Sequence, residues 1–144
     1  MGDGFEALPR VLPPPTRRGL LLIDPSYEMK SDYAKALAAL REALTRFADG
    51  MVMIWIPQVQ IVEAAQLPKR LKAASAGLAK KGWLHARLNV CGSRGHGWGL
   101  LGSSVFVVNP PHTLAPLLRQ TLPWLVQQLG QDPHAGFQLE EAGR

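Results

Sequence analysis

Cysteine is nearly absent from this 144-residue chain, with Cys91 standing alone. A single thiol excludes an internal disulfide framework and a cysteine-based zinc cluster, and it fits a reducing, cytoplasmic setting. The four histidines show no metal-ligand spacing, so no metal is expected. No apolar run approaches the ~20 residues that span a bilayer. The opening MGDGFEALPR has neither the basic nor the apolar region of a secretion signal, and no membrane partner is expected. Acidic residues are missing altogether between Glu63 and Asp132, a stretch holding Lys69, Arg70, Lys72, Lys80, Lys81, Arg87, Arg94 and Arg119. A solvated face normally mixes both signs, so the gap points to a polyanionic partner, RNA or DNA. A basic surface that serves only solubility is the plainer alternative.

What is present suffices for a single domain with a sizeable core, since hydrophobic residues make up 47% of the chain and charged residues 19%. Leu20–Ile23 is a continuous apolar run, the pattern of a strand buried on both faces. Ser31 or Asp32 offers an N-cap for a helix whose apolar stripe is Tyr33, Leu37, Leu40, Leu44 and Phe47. A second buried strand covers Met51–Ile56 and stops at Pro57. Helical sequence follows from about Ile61 to Lys81, with a new helix expected to start at Pro68. The segments HARLNV and SSVFVV read as strands joined by the glycine-rich GSRGHGWGLLG. A last amphipathic helix uses Leu114, Leu117, Leu118, Leu122, Leu125 and Leu129, and the tail after Gly130 reads as frayed.

Strands alternating with helices predict an α/β fold with parallel strands and right-handed crossovers. The glycine-rich link is too short for a helix, so the sheet is expected to end in an antiparallel hairpin. That is the pattern of the C-terminal half of a Rossmann-like class I methyltransferase, a likeness of fold and not yet of function.

The first strand runs into Asp24-Pro25-Ser26-Tyr27. An exocyclic amine on adenine is a poor nucleophile, because its lone pair is delocalised into the ring. Acceptors aimed at its N–H groups would make the nitrogen more pyramidal as it attacks. Asp24 offers a carboxylate, and the Pro25 carbonyl a second acceptor whose direction is set by proline's fixed φ. Tyr27 offers a flat face for a flipped-out base. Such a turn belongs at the carboxyl end of a strand, where ligands bind in these sheets. Asp-Pro after a strand is also common turn chemistry. The related Asn109-Pro110-Pro111-His112 lacks the aromatic and reads as a strand exit that caps the final helix.

The segments DGFEAL, LPPPTRRGLLLIDPSYEMKSDY, RFADGMVMIWIP and VFVVNPPHTL…LPWL together resemble the RlmJ-type ribosomal RNA methyltransferases. The resemblance implies S-adenosyl-L-methionine-dependent methylation of N6 of an adenine in 23S rRNA. It makes Asp24 the proton acceptor beside the cofactor, and Pro25, Ser26 and Tyr27 the adenine clamp. It assigns Asp3 and Gly4, otherwise an ordinary turn, to the cofactor's adenine. Candidate phosphate contacts are Arg17, Arg18, Lys69, Arg70, Lys72, Lys80, Lys81 and Arg94.

Two departures from the family pattern matter. Ser26 stands where the family usually has a second proline, which loosens the turn. The match is to the C-terminal half only, so residues 1–144 are expected to form one partial domain without the glycine-rich cofactor-cradle strands. Such a chain alone is expected to be inactive and to self-associate through an exposed sheet edge. A non-catalytic RNA-binding remnant of the family is the alternative function.

Overall fold

The computed structural model describes residues 3–93 and 99–143. Helix α1 (Gly4–Val11) starts at Asp3, whose carboxylate accepts a 2.8 Å hydrogen bond from the Phe5 N–H. After the proline-rich segment come β1 (Leu20–Ile23) and α2 (Ser31–Arg46). The α2 stripe buries Tyr33, Leu37, Leu40 and Leu44 as its spacing predicts. Its cap differs from expectation: Lys30 holds the N-cap position without a side-chain bond, and Asp32 lies inside the first turn, 3.5 Å from Lys35.

Strand β2 (Met51–Pro57) is followed by α3 (Val62–Leu78), then β3 (Trp83–Asn89), β4 (Gly102–Val108), α4 (Leu114–Leu129) and β5 (Gly136–Ala142). The break expected at Pro68 does not occur. Proline gives up one backbone donor, and buried Ala64, Leu67, Leu71 and Ser75 on either side hold the helix continuous through it.

The five strands form one sheet in the order β1-β2-β4-β3-β5. Only β1 and β2 pair in parallel; β4 is antiparallel to both β2 and β3, and β3 to β5. The expected hairpin is therefore present, but its second strand inserts between β2 and β3. A sheet of mainly parallel pairings becomes a mixed sheet that is mostly antiparallel. The frayed tail is a further correction, because residues 136–142 pair with the whole of β3. Phe137 and Leu139 stand among Gln138, Glu140 and Glu141 there, so the period-2 signal is weak although the backbone ladder is complete.

Helices α1, α2 and α3 cover one face of the sheet around Ile54, Ile56 and Phe106, and α4 covers the other over Leu84 and Ala86. At the end of the sheet β1 is half bare. Ile23 is buried, but Leu20 and Leu22 are 57% and 58% exposed, which corrects the expectation of a strand buried on both faces. The apolar run records a face that nothing among the described residues covers. Asn109 does not cap α4, whose N-cap is Thr113. Its buried amide instead accepts from the Lys80 and Lys81 N–H groups and donates to the Ala48 and Gly50 carbonyls. Asn109 thereby ties the turns before β3 and β2 together.

Candidate functional site

The Asp24–Tyr27 turn leaves the carboxyl end of β1 as expected, with Asp24 and Ser26 exposed and Pro25 half-buried. Tyr27 sits at φ 55°, a left-handed conformation that reverses the chain and drives its ring inward. The ring is 9% exposed, 4.7 Å from Tyr33 and 6.2 Å from Trp55 between centroids. Its hydroxyl donates a 2.6 Å bond to the Trp55 carbonyl. Burial, helped by Tyr33, Asp24 and Asp32 nearby, pushes the phenol well above its usual range, so it stays a protonated donor. The open face expected of Tyr27 is thus a packed one in this conformation, and the ring props the turn from below. Ser26 makes only a 3.5 Å contact from its Oγ to the Glu28 N–H.

Asp24 and Pro25 open onto a cavity of about 320 Å³, whose other walls include Asp3, Gly4, Phe5 and Leu21. Residues about 20 positions apart in sequence, which the resemblance assigns to the cofactor, therefore border one space. The fold explains the meeting, because α1 begins beside the end of β1. The donor set fits one part of S-adenosyl-L-methionine. Phe5 and Leu21 supply an apolar wall for a purine, and the Asp3 and Asp24 carboxylates suit amine hydrogens and a sulfonium charge. A Cβ added at Gly4 would meet nothing within 4 Å, so no close backbone approach requires glycine there.

The basic residues separate into groups. Lys72 is not a free cation: it is ion-paired to Glu140 and lies 5.0 Å over the Trp83 ring. Arg119 is paired to Glu141. The unexpected strand β5 thus supplies acids to the stretch that lacks them in sequence, and this is why Lys72 drops out of the candidate phosphate contacts. Arg17, Arg18, Lys69, Arg70, Lys80 and Lys81 are exposed and form no ion pair among the described residues. Arg94 lies outside the described residues.

Sequence reasoning missed Tyr33 and Trp55 as supports of the turn, and Phe5 and Leu21 as cavity walls. Tyr33 was visible as the first member of the α2 stripe. The Trp55 carbonyl leaves no trace in a sequence. His85, one of the histidines of the acid-free stretch, is buried. Burial, with Arg87 and Lys72 nearby, lowers its pKa from 6.5 to about 4, so it packs as a neutral ring 5.8 Å from Phe106.

Residues 1–140 match the family described as ribosomal RNA large subunit methyltransferase D, RlmJ. Two curated relatives are each named Ribosomal RNA large subunit methyltransferase J. The one from Escherichia coli is 38% identical over 127 residues, 88% of this chain. The one from Haemophilus influenzae is 36% identical over 138 residues, 96% of this chain. The chain spans about half the length of these relatives, 44% and 47%. The crystal structure of protein LPL1258 from Legionella pneumophila superposes with a TM-score of 0.86 at 26% identity, covering 98% of this chain and 50% of that one.

Proposed function

Since the chain belongs to the RlmJ family of ribosomal RNA large subunit methyltransferases, we propose that it carries the catalytic turn of an S-adenosyl-L-methionine-dependent enzyme that methylates N6 of an adenine in 23S rRNA. The observation that carries this reading is the common cavity of Asp3, Gly4, Asp24 and Pro25 at the carboxyl end of β1. On this reading the sheet is the C-terminal half of a Rossmann-like class I methyltransferase, and Asp3, Gly4 and Asp24 hold the cofactor. The chemistry supplied by bound S-adenosyl-L-methionine is an electrophilic methyl group.

The residues of this chain prepare the acceptor. The Asp24 carboxylate and the Pro25 carbonyl each accept a hydrogen of the adenine amine, which localises the nitrogen lone pair. As the nitrogen gains a methyl group its charge rises, and Asp24 takes the proton released. Tyr27 fixes the turn through Trp55 and presents its ring to the base once the ring swings outward.

The chain alone binds the cofactor weakly, is inactive, and self-associates along the bare β1 edge. The test is a chimera in which residues 1–140 replace the matching region of the E. coli relative. Transcripts of 23S rRNA would be digested to nucleosides after incubation with labelled cofactor. N6-methyladenosine is expected from the chimera, absent with the isolated chain, and lost with Asp24→Ala. Undiminished product from the Asp24→Ala chimera would overturn the reading.

A further inference from the structure

The directions of the strands divide the charge of the molecule into two ends. β1, β2 and β3 run one way and β4 the other. The residues that precede β1 and β3 and those that follow β4 therefore share the end opposite Asp24. At about 3.3 Å per residue, the seven residues of β2 put the two ends roughly 20 Å apart. The Asp24 end exposes Asp3, Glu6, Asp24 and Glu28; its lysines Lys30 and Lys35 are paired with Glu63 and Asp32.

The opposite end is built the other way. It exposes Arg17 and Arg18 before β1, Lys80 and Lys81 before β3, and His112 after β4. The acids there among the described residues include Asp49, exposed in the turn before β2, Glu42, paired with Arg46, and Glu141, paired with Arg119. In the sheet order, the arginine pair and the lysine pair stand three strand spacings apart, about 14 Å. The lysine pair is pre-positioned, because Asn109 accepts from the backbone N–H of both residues at 2.9 and 2.8 Å.

Beside these lysines opens a second cavity, of about 410 Å³, lined by Lys81, Trp83, Pro110, Pro111, His112 and the Arg119-paired Glu141 among others. Trp83 is held in place, its ring stacked on Phe106 at 5.6 Å with Lys72 over it. Two prolines make flat apolar walls for a base, while Lys81 and His112 stand at hand for its phosphate.

We propose that this cavity is a second RNA-binding site, which holds one unpaired nucleotide roughly 20 Å from the methylated base. Arg17, Arg18 and Lys80 carry the flanking phosphates. The rRNA as its natural source rests on the function proposed above; the site itself requires only single-stranded RNA.

The test uses the full chain and the tetranucleotide rU4, which contains no adenine to compete for the cavity beside Asp24. Titration followed by ¹⁵N NMR is expected to shift the Trp83 indole N–H and the His112 and Ala115 amides, saturably. The exposed double variant Lys80→Glu/Lys81→Glu is expected to raise Kd at least tenfold. Losing two phosphate contacts on a single strand should also flatten the salt dependence of log K by about 1.4. Shifts confined to other residues, no shift at all, or unchanged affinity in the double variant would overturn the proposal. Asp24→Asn separates the two readings. It should bind rU4 like the parent chain, so rU4 binding without a cofactor response at Asp24 keeps this site and removes the proposed function. The reverse pattern does the opposite.

Discussion

Asn109→Ala is expected to destabilise the chain by about 3–4 kcal/mol. The side chain is 3% exposed and makes four hydrogen bonds to backbone, at 2.9 Å and 2.8 Å from Lys80 and Lys81 and at 2.8 Å each to Ala48 and Gly50. At about 1 kcal/mol net per bond the four amount to about 4 kcal/mol. Water entering the outer turns recovers about 1 kcal/mol of this. Asn109 also sits at φ 54°, where alanine is less comfortable than asparagine by about 1 kcal/mol. Asn109→Gly relieves that strain and should cost about 1 kcal/mol less than alanine, while Asn109→Asp keeps the two acceptor bonds but sets a charge against two carbonyls. Urea denaturation followed by tryptophan fluorescence, with unchanged m-values as the check on two-state behaviour, measures all three. A loss below about 1 kcal/mol for Asn109→Ala would refute the view that one amide binds the two turns.

The remaining predictions concern charge, the bare edge and the turn. His85 has a folded pKa of about 4 against 6.5, so between those values the unfolded chain binds more protons. Stability should be fully present above about pH 6.5 and fall as pH drops toward 4, by up to about 3 kcal/mol; His85→Gln should flatten this slope in pH-dependent urea melts. Glu140, held below the usual range chiefly by its hydrogen bond to Lys72, adds a further loss only at still lower pH. Leu22→Lys places a charge on the exposed β1 edge and should shift sedimentation profiles toward monomer, with an unchanged oligomer distribution counting against that edge as the contact. Ser26→Pro in an active chimera should leave the methylation rate undiminished, since Ser26 donates no side-chain bond among the described residues, and a large loss would show that serine has a role of its own.

Much of the architecture was legible because strong periodicity survives tertiary context. The α2 stripe and the apolar strands β1 and β2 appear where the pattern puts them. The misreadings share a cause in long-range pairing. Nothing local marks β5 as a partner for β3, yet its Glu140 and Glu141 neutralise Lys72 and Arg119 and so reshape the basic surface. Pro68 carries a strong local break signal that burial of its neighbours overrides. At the site, Asp24 and Pro25 were legible from the turn chemistry after an apolar run. Asp3 and Gly4 were legible only through family resemblance, because their meeting with Asp24 depends on how α1 docks. Tyr27 was singled out as the aromatic of the turn, but its positive φ and its bond to the Trp55 carbonyl depend on neighbours from β2 and α2.

The proposed cofactor half-site at Asp24 is tested most directly by titrating the 144-residue chain with S-adenosyl-L-methionine under ¹⁵N NMR. The account predicts weak, saturable shifts concentrated at Gly4, Phe5, Ile23 and Asp24, and their loss in Asp24→Ala. Shifts that leave these residues untouched, or that persist unchanged in Asp24→Ala, would contradict it.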